Sequence, residues 1–219
     1  MIDIVEQPLK RPSVAAVTDA LGRVIGHRAT VLDLVSPTPG QVLLGVAVTI
    51  RFLPYREDLF EEKANSFGRC FYEAIGREPH GKVIVVDSAG YVDSSVGGGT
   101  KLSRLNNSGV AGLITDARLR DFRELAEYDP VFYCAGETVR AGTAELMADA
   151  ANVPVVLAGV TVVPGDYVYA DSSGAVIIPA LHFEKVWATA TEIETNEVAQ
   201  RQSIREENPE DLNVGSNEH

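Results

Sequence analysis

Four charged side chains, Asp116, Arg118, Arg120 and Asp121, fall within six residues at the end of the run GLITDARLRD, from Gly112 to Asp121. Arg120 offers a planar fork that matches a carboxylate through two parallel hydrogen bonds. Asp121 offers hard oxygen to Mg²⁺ or Mn²⁺, ions that keep much of their water and need one or two protein carboxylates. A 2-oxo acid carries a carboxylate and a ketone side by side, so an Arg-Asp pair suits it. The bland alternative is a solvated loop with local ion pairs. Upstream, Gly97-Gly98-Gly99 precedes Thr100, Lys101 and Leu102. Glycines free the backbone to approach a ligand closely, and N–H groups at a helix start favour an anion. The spacing is neither GxGxxG nor a P-loop, which argues against a nucleotide fingerprint and leaves a flexible surface loop as the alternative.

Other chemistry-bearing residues carry weaker patterns. Asp166 and Asp171 in PGDYVYAD read as turn caps. His27, His80, His182 and His219 have no paired spacing of the kind zinc needs. Cys70 and Cys134 lack metal-type spacing and read as buried thiols of a reduced protein. Tyr128, Tyr133, Tyr167 and Tyr169 read as core or subunit-interface residues, and Glu57 to Lys63 as a solvated helix face.

The 19 Lys and Arg against 31 Asp and Glu give a net charge of −12, which argues against a nucleic-acid footprint but permits a local anion site. No apolar run has membrane-spanning length, and the first residues lack the apolar segment of a signal peptide. A soluble, cytoplasmic protein with no membrane partner is the expectation.

The elements that must position the candidate residues follow from periodicity. Helical spacing marks Ser13 to Gly22, Leu59 to Ile75, Lys101 to Ser108, Phe122 to Tyr128 and a long terminal stretch from Leu181 to Arg205. Strand patterns mark Val42 to Phe52, Lys82 to Asp87, Val110 to Asp116 and Val131 to Ala135. One or two more fall within Asn152 to Val163, and a hairpin pairs Tyr167 to Ala170 with Ala175 to Pro179. KVIVVD, an unbroken apolar run, suits a strand buried on both faces. One α/β domain over residues 1–205 is predicted, with an acidic, loose tail over 206–219.

Several pieces occur in an order that resembles the RraA-like family (regulator of ribonuclease activity A), which includes 4-hydroxy-4-methyl-2-oxoglutarate aldolases and oxaloacetate decarboxylases. They are VTDALG at 17–22, GVAVTI at 45–50, HGKVIVVDSAG at 80–90, GVAGLITDARLRD at 109–121 and VPVVLAGVTVVPGDYVYADSSGAVIIP at 153–179. The resemblance implies a layered β/β/α sandwich of the swivelling-domain type with a C-terminal helix, assembled as a homotrimer or a dimer of trimers with sites between subunits. It gives Arg120 and Asp121 the catalytic roles, Arg120 holding the substrate carboxylate and enolate and Asp121 the metal. It gives the backbone of Gly98, Gly99, Thr100, Lys101 and Leu102 the same carboxylate. The implied activity is a Mg²⁺- or Mn²⁺-dependent lyase on a small 2-oxo acid, by retro-aldol cleavage or oxaloacetate decarboxylation; the alternative is a non-catalytic binding protein of the ribonuclease-regulator type. Aldolase members carry an acid 21 positions before the motif arginine. Here that position is Gly99, with Asp93 and Asp116 as unaligned substitutes, and Glu194 or Glu197 as matches for an acid that the terminal helix lends to a neighbour.

Overall fold

A computed structural model describes residues 11–26 and 29–208. Residues 1–10, 27–28 and 209–219, and with them His27, His219 and most of the expected acidic tail, lie outside the described residues.

The first half of the chain runs α1 (Val14–Ile25), β1 (Thr30–Val31), β2 (Leu43–Pro54), α2 (Phe67–Ile75), β3 (Lys82–Asp87), β4 (Ser95–Gly97), α3 (Gly99–Ser108), β5 (Gly112–Thr115), β6 (Arg118–Leu119) and α4 (Phe122–Leu125). It continues through β7 (Val131–Tyr133), β8 (Gly136–Glu137), β9 (Leu146–Ala151), β10 (Val155–Leu157), β11 (Val160–Val162), β12 (Tyr167–Asp171) and β13 (Gly174–Ile178), and ends in α5 (Phe183–Arg205).

The main sheet has the order β1-β13-β12-β2-β3-β5-β7, with β9 also pairing β2. Strands β2, β3, β5 and β7 are mutually parallel, and β12 joins them antiparallel through β2. Strand side chains alternate between faces, so β3 serves two cores at once. Val83 and Val85 pack with α1, α5 and the β12–β13 hairpin, while Ile84 and Val86 pack with α2, α3 and β9. That double burial is why KVIVVD contains no alternation. The expected α/β architecture with a C-terminal helix holds.

α1 begins where the Ser13 hydroxyl accepts from the Ala16 amide at 3.1 Å and stops at Gly26, which is left-handed. α5 crosses α1 and is anchored by a row of rings, with Phe183 stacked on Tyr167 at 3.7 Å and Trp187 next along. Both cysteines are free and buried.

Two expectations change. The helix expected from Leu59 begins only at Phe67. Leu59 and Phe60 are 52% and 38% exposed, so that stretch has no apolar face to bury; Ser66 supplies the cap, accepting from the Arg69 amide at 3.2 Å. The helix expected over Phe122 to Tyr128 is regular only as far as Leu125. Short strands β1, β4, β6 and β8, and the longer β9, carried no strand pattern in sequence. β9 reads LMADAA, rich in alanine, and is a strand because it pairs with the end of β2.

Candidate functional site

A second sheet, all parallel and in the order β4-β6-β8, builds the site. Its pairing sets Gly97 opposite Leu119, and the Arg120 amide extends it by donating to the Gly97 carbonyl at 2.9 Å. The end of the glycine run is therefore fixed beside Arg120 and Asp121. Gly98 and Gly99 are what allow it. A Cβ on Gly98 would lie 2.5 Å from Asp121 Oδ2 and 2.9 Å from Arg120 Cβ, closer than packed atoms tolerate.

α3 begins with no side-chain cap on Gly98. Its first amides have no partner within the helix. Asp121 supplies one: Oδ2 accepts from the Gly99 amide at 3.0 Å. Asp121 is free to do so because its own helix is capped by another residue, Glu137, whose Oε1 accepts from the Phe122 amide at 3.0 Å. Asp121 sits in the left-handed region at φ 63°, a conformation aspartate tolerates better than most side chains.

Beside this edge lies a cavity of about 230 Å³, lined in part by Ser95, Gly97 and the turn Ala141-Gly142-Thr143 but not by Gly99. Gly98, Thr100, Lys101, Arg120 and Asp121 all border it. The Arg120 guanidinium makes no ion pair or hydrogen bond among the described residues, so its fork is open to a ligand. The amides differ in what they have to offer. Gly99 is committed to Asp121, and Leu102 donates to the Gly98 carbonyl at 2.9 Å while its side chain is wholly buried. Leu102 therefore leaves the expected carboxylate cradle, and Thr100 and Lys101 keep theirs by position. The Lys101 ammonium turns inward to the Val96 carbonyl at 3.2 Å and lies 5.5 Å from the centre of the Phe67 ring. Burial, and then Arg104, holds its pKa below the usual lysine range.

The carboxyl ends of β3 and β5, where ligands of open α/β sheets usually collect, are taken by the chain itself. Asp87 accepts from the Val156 amide and Asp116 from the Ala158 amide, each at 3.1 Å, and together they hold the β10–β11 hairpin. Asp116 is thus engaged structurally. Asp93 pairs with Arg118 at 3.3 Å. Neither substitute acid borders the cavity. Glu194 accepts from the Ser13 amide at 3.2 Å and hydroxyl at 2.9 Å, and Glu197 pairs with Arg201. Asp166 and Asp171 cap turns as expected, accepting from the Val163 and Ser173 amides.

Sequence reading missed the 141–143 turn and a pair on α4's side of the site. Tyr128 Oη donates to Glu124 Oε1 at 2.8 Å and contacts the Gly99 carbonyl at 3.1 Å. The signal available was the i,i+4 spacing of Glu124 and Tyr128 on a helical turn. Among the described residues no group of three or more His, Cys, Asp or Glu is placed to hold a metal. The donor set fits a hard cation that retains water at Asp121, rather than a closed zinc cage.

The family model described as RraA-like, Aldolase/RraA, matches residues 14–177. A protein of Halalkalibacterium halodurans with the provisional name 4-hydroxy-4-methyl-2-oxoglutarate aldolase is 29% identical over 136 residues, 62% of this chain and 62% of that protein. Protein DlpA of Legionella pneumophila is 26% identical over 180 residues, 82% of this chain and 28% of that protein. The chain therefore spans less than two thirds of either relative. Among solved structures, RraAS2 of Streptomyces coelicolor, described as an unusual member of the RNase ES inhibitor RraA family, is 29% identical with a TM-score of 0.74, covering 88% of this chain and 93% of its own. The family match runs through both walls of the cavity, from the glycine edge to Asp121, and the chain belongs to the Aldolase/RraA (RraA-like) family.

Proposed function

We propose that the protein is a divalent-metal-dependent lyase acting on a small 2-oxo acid, cleaving a 4-hydroxy-2-oxo acid, oxaloacetate or both to pyruvate. The observation that carries this reading is the convergence, on one cavity, of an Arg120 guanidinium unpaired among the described residues, the Asp121 carboxylate and the N-terminus of α3. The names of the aldolase relatives support the reaction class. Asp121 would hold Mg²⁺ or Mn²⁺, whose Lewis acidity would polarise the 2-oxo group. Arg120 receives the substrate carboxylate and stands where negative charge grows as the C–C bond breaks, so it binds the transition state more tightly than the ketone. The Thr100 and Lys101 amides add the partial positive charge of a helix start.

The proposed assembly is a homotrimer or a dimer of trimers, in which a neighbouring chain closes the cavity. Val139, on the rim beside Arg120 and Asp121 and 94% exposed, is the kind of apolar side chain such a neighbour covers. The test is pyruvate release from oxaloacetate and from 4-hydroxy-4-methyl-2-oxoglutarate with Mg²⁺ or Mn²⁺. A rate no greater than that of metal alone on both substrates rejects the lyase reading. The second reading, a non-catalytic regulator of a ribonuclease, rests on the likeness to RraAS2. It gains if the protein is inactive on both substrates and inhibits a purified ribonuclease E-type enzyme stoichiometrically.

A further inference from the structure

Arg120 and Asp121 border two cavities. The first, on the α3 side, is the one described above. The second, of about 330 Å³, is lined by Arg120, Asp121, Glu137, Thr138 and Val139. The strand order β4-β6-β8 explains the arrangement. Arg120 and Asp121 follow the central strand, with the glycine edge after β4 on one side and β8 on the other. Leu119 pairs with Glu137, and the Thr138 amide donates to the Leu119 carbonyl at 3.0 Å, so the chain after β8 runs alongside Arg120 and Asp121. Glu137 Oε1 accepts from the Phe122 amide at 3.0 Å, which fixes its carboxylate next to Asp121.

The polar groups around the second cavity are largely engaged. Thr138 Oγ1 accepts from the Arg140 amide at 3.1 Å. The nearby cations Arg140 and Arg118 are paired with Glu145 and Asp93. In the lyase reading Arg120 takes the C1 carboxylate of the substrate, and Asp121 the cation. Glu137 makes no ion pair among the described residues, and Val139 is almost fully exposed. A ligand entering here therefore meets one uncompensated carboxylate and one apolar side chain. A second substrate carboxylate would face a like charge with no cation to receive it, whereas an alkyl group would lie against Val139.

We propose that the second cavity receives the part of a 4-hydroxy-2-oxo acid beyond C4, and that Glu137 makes it select an uncharged group there. The assignment rests on the lyase reading above and names its substrate class, hydroxy acids whose second product is a neutral aldehyde or ketone. Arg120, the cation and the start of α3 hold C1 and C2, so C3 and C4 extend away from α3, past Asp121 and toward Glu137. When C3–C4 breaks, C4 becomes the carbonyl carbon of the second product and keeps the substituent held in this cavity. Oxaloacetate carries nothing beyond C4 and reports on Arg120 and Asp121 alone.

The test uses 4-hydroxy-2-oxopentanoate and 4-hydroxy-2-oxoglutarate, which differ only by methyl against carboxylate on C4. Their kcat/KM values with Mn²⁺ are measured beside oxaloacetate decarboxylation in wild type, Glu137→Gln and Val139→Lys. A ratio of two substrates on one preparation does not depend on the fraction of protein folded or assembled. Wild type is expected to favour the methyl substrate by about tenfold or more, the size of one like-charge contact near a protein surface. Glu137→Gln, which keeps an oxygen for the Phe122 amide, is expected to lower that preference about fivefold or more, and Val139→Lys, which adds a cation on an exposed side chain, to lower it likewise. Wild type that cleaves the carboxylate substrate as well as the methyl one overturns the assignment. A ratio within about twofold of wild type in either variant also overturns it. Activity on oxaloacetate with neither hydroxy acid cleaved overturns the subsite alone, whereas wild type inactive on all three removes the lyase reading itself.

Discussion

Asp121 Oδ2 accepts a hydrogen bond from the Gly99 amide at 3.0 Å, across 22 residues of sequence. The contact does two things at once. It closes a helix that has no cap of its own, and it turns the aspartate toward the cavity rather than toward its own helix α4, which Glu137 caps instead. The start of α3 and a carboxylate that borders the cavity are thereby locked into one unit. Changes to either residue should register in both stability and ligand binding.

Gly98→Ala tests that coupling. The added methyl would meet Asp121 Oδ2 at 2.5 Å, and overpacking of this kind costs about 1–3 kcal/mol. A Tm lowered by several degrees is expected, together with Mn²⁺ affinity weakened at least tenfold, read by calorimetric titration. Unchanged Mn²⁺ binding would show that the carboxylate and the glycine edge are independent.

Arg120→Lys keeps the charge and removes the planar fork. On oxaloacetate, kcat/KM should fall roughly 10²-fold, of the order seen when one transition-state donor is removed, while the Tm stays within about a degree because the guanidinium makes no ion pair or hydrogen bond among the described residues. Full activity in the lysine variant would show that charge alone is used.

Asp116→Ala separates structure from chemistry at the neighbouring strand end. Its loss removes the hydrogen bond to the exposed Ala158 amide, at a cost of about 0.5–1.5 kcal/mol. Denaturant unfolding should show that loss, and pyruvate release per folded molecule should stay within threefold. A selective fall in kcat at unchanged stability would return Asp116 to the reaction.

The Ser13–Glu194 contact sets an acid limb of stability. Hydrogen bonds from the Ser13 amide and hydroxyl hold the Glu194 carboxyl below its ordinary range. The folded protein therefore binds this proton less tightly than the unfolded chain. The stabilisation is complete above the ordinary glutamate value of about 4.3 and is lost as pH falls through the lower folded value. Glu194→Gln should flatten Tm against pH between about 5 and 3, where wild type declines. Identical slopes would place the acid limb in other carboxylates.

The buried parts of the fold were legible in sequence because they answer to local pattern. KVIVVD and GLIT are strands on both faces of which a core packs, and Ser13 starts a helix by capping chemistry, although that helix runs through the expected stop at Gly22 and ends at Gly26. Arg120 and Asp121 stood out as charges directly after an apolar strand. What was not legible depends on contacts between distant segments. β4, β6 and β8 are strands of two or three residues that exist only as one another's partners. No periodicity announces that Asp87 and Asp116 would be consumed by the hairpin at 155–162. Glu124 meets Gly99 only because β4 and β6 pair.

The central claim is that the Arg120–Asp121 edge binds a divalent cation and a 2-oxo acid together. A crystal grown with Mn²⁺ and oxalate, a mimic of the pyruvate enolate, tests it most directly by anomalous scattering at the manganese edge. A manganese peak is expected at roughly 2.0–2.2 Å from an Asp121 carboxylate oxygen, with oxalate bridging it to the Arg120 guanidinium and the start of α3. A manganese peak elsewhere, or oxalate bound away from Arg120, would contradict it.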